Sequence, residues 1–143
     1  MKLSFSIKTT SLLFVMSMLI TILSISAFAG DDPSIKGELR ADIQASMDNY
    51  IKRNTINGIY AHFDPVTGKL LNLKLDYLHS GIVKQGDIYV SCADMIDQET
   101  GKKVDMDFFV RDNFGTLVTV QAIVHEADGK KRKYHLENIK TKN

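Results

Sequence analysis

VDMDFFVRDNFGTLVTVQAIV, residues Val104 to Val124, decides the fold. Val104, Met106, Phe108 and Val110 alternate on one side of Asn113-Phe114-Gly115, and Val118, Val120, Ala122 and Val124 alternate on the other. Period two is the signature of a strand, because successive side chains point to opposite faces. A turn ending in glycine joins two such runs as a hairpin, since glycine takes a left-handed conformation without steric cost. A three-residue loop at Asn113-Phe114-Gly115 pairs Asp112 with Thr116. It then sets Val110 against Val118, Phe108 against Val120, Met106 against Ala122 and Val104 against Val124. Every apolar residue meets an apolar residue, whereas a register slip of one would pair core with solvent.

The same reading extends in both directions. Three-residue loops at Val66-Thr67-Gly68, Glu99-Thr100-Gly101 and Ala127-Asp128-Gly129 set Phe63 against Leu71, Cys92 against Phe108 and Ala122 against Tyr134. Runs at Ile59-Ala61-Phe63, Leu71-Leu73-Leu75-Tyr77, Ile88-Val90-Cys92 and Tyr134-Leu136 complete six strands. Upstream, Ile35, Leu39, Ile43, Met47, Tyr50 and Ile51 recur at helical spacing, a stripe that predicts one helix. Asp32-Pro33-Ser34 supplies its start and Asn57-Gly58 its end. The expectation is an α+β domain: an N-terminal helix packed on a six-stranded antiparallel meander.

That element order resembles the cystatin or NTF2-like roll, in which a curved sheet wraps a helix. The resemblance is architectural and implies the fold alone. Protease-inhibiting cystatins carry a Gln-x-Val-x-Gly loop and a Pro-Trp hairpin. Here Gln121-Ala122-Ile123-Val124-His125 lacks the glycine, and the chain has no Trp, so inhibition is not expected.

Residues 1–29 read as a secretory signal peptide. Lys2 and Lys8 precede an apolar run from Leu12 to Ile25, and Ala27-Phe28-Ala29 offers small residues for cleavage. The expected product is a single domain from Gly30 to Asn143, periplasmic or extracellular, with no membrane attachment after cleavage. Without Lys2 and Lys8 the 18 basic residues fall to 16 against 17 acidic ones, a net charge of −1. That balance argues against a nucleic-acid partner, which calls for a basic excess. Lys130-Lys131-Arg132-Lys133 reads as a solvated hairpin. A lone cysteine forms no internal disulfide, so the core is expected to hold by burial.

Three sets of residues are candidates for function. With a two-residue turn at Gln85-Gly86, His79 falls opposite Cys92 and Tyr77 opposite Asp94, a pairing that a bulge at Gly81 would shift. Cys92 and Asp94 are expected to face the helix. Cys92, His79 and Asp94 are then weak catalytic candidates for a thiol nucleophile, weighed against Cys92 as a packed core residue. Tyr77, Asp94 and Tyr134 are candidates for a ligand pocket beneath the helix, with structural hydrogen bonding as the competing reading. On the outer face, Tyr89, Met95, Phe109 and Ile123 form a candidate interface for a homodimer or a protein partner. The histidines are spread over several strands, and Asp105 and Asp107 read as solvated acids, so no metal site and no cofactor are expected. The function expected is a small exported, non-catalytic binding module. The alternatives are a thiol-dependent enzyme using Cys92, His79 and Asp94, or a carrier of an apolar small molecule between helix and sheet.

Overall fold

In the computed structural model, which describes residues 30–133, one helix, α1 (Gly37–Arg53), precedes seven strands. These are β1 (Thr55–Ile56), β2 (Ile59–Asp64), β3 (Lys69–Gln85), β4 (Ile88–Asp97), β5 (Lys103–Asn113), β6 (Thr116–Ala127) and β7 (Lys130–Lys131). All pair antiparallel in chain order, so the meander is correct. The class and the strand number are not. The described residues are 58% strand and 16% helix, a mostly β chain with a seven-stranded sheet rather than the expected six-stranded α+β arrangement. The extra strand is β1. Asn57 and Gly58 both have positive φ (53° and 78°) and form the tight turn from β1 to β2 instead of ending the helix. The helix stops earlier, at Asn54, whose N–H reaches the carbonyls of Tyr50 and Ile51. Asp32 and Ser34 hydrogen-bond to each other in a turn before the helix, and the expected strand at Tyr134–Leu136 lies outside the described residues.

Ile43, Met47 and Ile51 of α1 share one buried cluster with Tyr60, Leu73, Ala93, Met95, Val104, Met106, Phe108, Val110, Ala122 and Val124 from the sheet. Burying each such aliphatic or aromatic side chain is worth roughly 1.5–3 kcal/mol. Tyr50 meets Phe108 edge-on, with ring centroids 6.2 Å apart, and Ser46 Oγ lies 3.0 Å from Thr119 Oγ1. Arg132, just after β7, makes a bidentate salt bridge to Asp64 of β2 (Nη2 to Oδ2 2.6 Å, with Nη1 on Oδ1). The first and last parts of the sheet are thereby clipped together on the helix side, so the sheet curls.

Loop chemistry decides which side chains face the helix. Two loops share the pattern Asp-x-x-Thr-Gly: Asp64–Gly68 and Asp97–Gly101. In the first, the Asp64 carboxylate accepts from the Val66 N–H (3.1 Å) and the Thr67 hydroxyl (2.6 Å), and the Gly68 N–H donates to the Asp64 carbonyl (2.8 Å). Asp97 does the same with the Glu99 N–H (3.1 Å), the Thr100 hydroxyl (2.7 Å) and the Gly101 N–H (2.8 Å). The side chain thus acts as part of the turn. The loop has four residues, not three: Asp64 pairs with Lys69, and Met95 rather than Ile96 pairs with Val104. That one-residue difference turns β4 over. Ala93 and Met95 face the helix, while Val90, Cys92 and Asp94 face out.

The Val104–Val124 hairpin corrects in a different way. Phe114 and Gly115 (φ 53° and 83°) form a two-residue turn, so Asn113 pairs with Thr116 and Val110 with Thr119. Val118 and Val120 are therefore not core residues. A bulge at Val120 then restores the expected parity, with Phe108 opposite Ala122.

Candidate metal centre

The outward face of β4 and β5 gathers a thiol and three carboxylates. Cys92 lies opposite Asp107, and Asp94 lies opposite Asp105, four consecutive inter-strand neighbours on one face. Two histidines flank them, each placed by a bulge. On one side the register of β3 against β4 breaks between Leu78 and Ile82, which frees His79, Ser80 and Gly81 from the ladder. All three of their carbonyls are held by side chains: His79 by Gln44 Nε2 (3.0 Å), Ser80 by Arg40 Nη1 and Gly81 by Ser91 Oγ (2.8 Å). On the other side, β6 is irregular between the partners of Asp105 and Met106, and His125 is the extra residue. Bulges re-aim side chains that a regular ladder would place elsewhere.

Distances within the group are short. The Cys92 thiol donates to Asp107 Oδ1 at 2.8 Å. His125 Nδ1 lies 3.3 Å from Asp107 Oδ1 and 3.8 Å from Asp105 Oδ2. His79 Nε2 lies 3.2 Å from Asp94 Oδ1, and Lys103 Nζ lies 3.1 Å from Asp94 Oδ2. Cys92 and Asp107 are buried, at 2% and 4% exposure. Burial, with the negative charge of Asp107 next, pushes the Cys92 thiol far above its ordinary pKa. Burial and then the Asp107 charge raise Asp105, while the hydrogen bond to Asp107 raises His125. Crowding three carboxylates in a half-buried site is costly unless positive charge is near.

Cys92, Asp105, Asp107 and His125 each place one ligand atom within 4.8 Å of the others. Tetrahedral zinc, with bonds of roughly 2.0–2.3 Å, sets its ligand atoms roughly 3.3–3.8 Å apart. The His125 separations from Asp107 and Asp105, 3.3 and 3.8 Å, fall in that range, while the 2.8 Å from Cys92 to Asp107 is a hydrogen-bond distance that an ion would lengthen. Thiolate, imidazole and carboxylate together form a donor set for zinc and its transition-metal neighbours rather than for calcium or magnesium.

Several expected placements change. Tyr77 does pair with Asp94, but both face outward, and Tyr77 is exposed, so they do not line a pocket beneath the helix; Tyr134 lies outside the described residues. The proposed triad is divided differently: His79 contacts Asp94, and the Cys92 thiol is given to Asp107. Of the candidate interface, Tyr89 and Met95 turn toward the helix. Phe109 and Ile123 do face outward, but Phe109 is only 8% exposed, so the continuous apolar patch does not form. A three-residue loop before β5 presents the opposite face of β4, which parts Cys92 and Asp94 from Asp105, Asp107 and His125 and hides the cluster from the sequence. The usable signal was Asp97-Gln98-Glu99-Thr100-Gly101, whose loop length sets that face. The chain matches no family model, no curated protein and no solved structure, so the reading of this centre rests on its geometry.

Proposed function

We propose that the protein is a small exported binding module whose ligand is a divalent transition-metal ion of the zinc class. Cys92, Asp105, Asp107 and His125 hold it on the outer face of the sheet. One observation carries the reading: a thiol, an imidazole and two carboxylates from three adjacent strands converge within 4.8 Å. The ion displaces the protons of Cys92 and His125 and neutralises the crowded carboxylates, so binding removes the electrostatic cost that the ion-free arrangement carries. Binding rather than thiol catalysis is favoured because Cys92 is only 2% exposed and its thiol is held by the Asp107 carboxylate rather than by an imidazole. An apolar cargo between helix and sheet is disfavoured because Met47, Met95, Met106 and Phe108 fill that layer with no exposed surface.

Cobalt substitution tests the proposal. The apo protein titrated with Co²⁺ is expected to develop the near-ultraviolet thiolate-to-cobalt charge-transfer band and the visible bands of a four-coordinate site, and Zn²⁺ is expected to abolish both. Cys92→Ser is expected to lose the charge-transfer band, and His125→Ala to weaken binding at least tenfold. A wild-type protein that shows no such band and retains no zinc in equilibrium dialysis at micromolar metal overturns the reading.

A further inference from the structure

We infer that the site is dinuclear: His79, Asp94 and Asp105 hold a second divalent cation, with Asp105 shared between the two. The inference rests on the metal-binding reading above and names a position that reading does not use. His79, Asp94 and Asp105 also converge within 4.8 Å, and Asp105 belongs to both groups. A carboxylate has two oxygens and bridges two ions readily; paired metals in such sites stand roughly 3.5–4 Å apart. Asp94 and Asp105 are direct partners across β4 and β5, two residues along each strand from Cys92 and Asp107 and next to them on the same face; the shared Asp105 carboxylate is what spans the two positions.

Two buried oxygens, one of them on Asp94 outside the first group, support the second ion. Asp94 Oδ1 and Asp105 Oδ1 are both buried and make no hydrogen bond among the described residues. Buried carboxylate oxygens in folded proteins are almost always satisfied. Asp94 Oδ1 and His79 Nε2 are 3.2 Å apart without hydrogen-bond alignment, a separation suited to two ligands of one ion. The imidazole is held there by the bulge whose carbonyls Gln44, Arg40 and Ser91 grip. Lys103 is the one ammonium on Asp94 among the described residues. It is 59% exposed, so it can swing into solvent and leave Asp94 Oδ2 to the ion.

The test is stoichiometry with a spectroscopic control. The apo protein is loaded with Zn²⁺, passed through gel filtration and analysed for metal and protein. Wild type is expected to carry two equivalents. His79→Ala and Asp94→Asn are each expected to carry one and to keep the thiolate-to-cobalt band of the first site unchanged. Lys103→Met, which removes the competing ammonium, is expected to hold the second equivalent at least threefold more tightly. One equivalent in wild type and in both variants, with the band intact, overturns the dinuclear centre and leaves the first site standing. No bound metal and no band overturn both.

Discussion

Asp64 offers the sharpest test of how the sheet is closed. Its carboxylate anchors one Asp-x-x-Thr-Gly loop and also receives the Arg132 fork, whereas Asp97 anchors the matching loop without an arginine. The two positions therefore form an internal control. Asp97→Asn weakens two loop hydrogen bonds that a charged acceptor strengthens, and a loss of about 1–2 kcal/mol is expected. Asp64→Asn does the same and also leaves Arg132 unpaired where it is mostly buried, at 15% side-chain exposure. Breaking a buried pair from one side costs about 3–5 kcal/mol. The loop losses cancel, so Asp64→Asn should exceed Asp97→Asn by about 3–5 kcal/mol in urea unfolding followed by far-ultraviolet circular dichroism at pH 7. The pH dependence has a definite sign. The Arg132 hydrogen bonds, ahead of the opposing effect of burial, hold the Asp64 carboxyl well below the usual carboxylate range. A group depressed in the folded state contributes its full stability above its unfolded value of about 4 and loses it as the pH falls toward the folded value. The gap between wild type and Asp64→Asn should therefore narrow from pH 6 to pH 3. Equal losses in the two variants, or a gap that does not change with pH, would refute the clip between β2 and the end of β7.

Two further outcomes follow from local geometry. Phe114 sits at φ 53° and is fully exposed at the tip of the β5–β6 turn, where asparagine is the preferred residue; Phe114→Asn should raise stability by about 0.5–1 kcal/mol in thermal unfolding, and a decrease would show that the tip is not a tight primed turn. The Cys92 thiol, buried and raised in pKa, should ignore a disulfide thiol reagent at pH 7 in the folded metal-free protein and react fully in denaturant; rapid reaction of the folded protein would restore the thiol-enzyme reading.

How much was legible in the chain can be followed residue by residue. Val104, Met106, Phe108 and Val110 do face the helix together, as their alternation requires, and the meander order is as expected. Tyr77 pairs with Asp94 because the bulge between Leu78 and Ile82 offsets the different turn before β4. Asn57-Gly58 is a hairpin signal as much as a helix end, and as a hairpin it supplies β1. The two Asp-x-x-Thr-Gly loops were readable as well, because an aspartate that accepts from both a backbone N–H and a threonine hydroxyl defines a four-residue loop. The bulges at His79–Gly81 and His125 were harder. Only Gly81 hinted at one, and what holds the first is Arg40 and Gln44 from a helix far away in sequence.

By itself, then, the sequence determined the antiparallel order of the strands and the alternation of Val104, Met106, Phe108 and Val110, since those depend on neighbours two positions apart. The tertiary structure decided which face each strand presents and which acids, histidines and thiol meet. The physical reason is that facing accumulates: each loop length and each bulge adds a residue of offset, and one uncompensated offset exchanges the two faces of every strand beyond it. Cys92 and Asp107 meet only because Asp97 closes its loop one residue wider than glycine alone would have suggested.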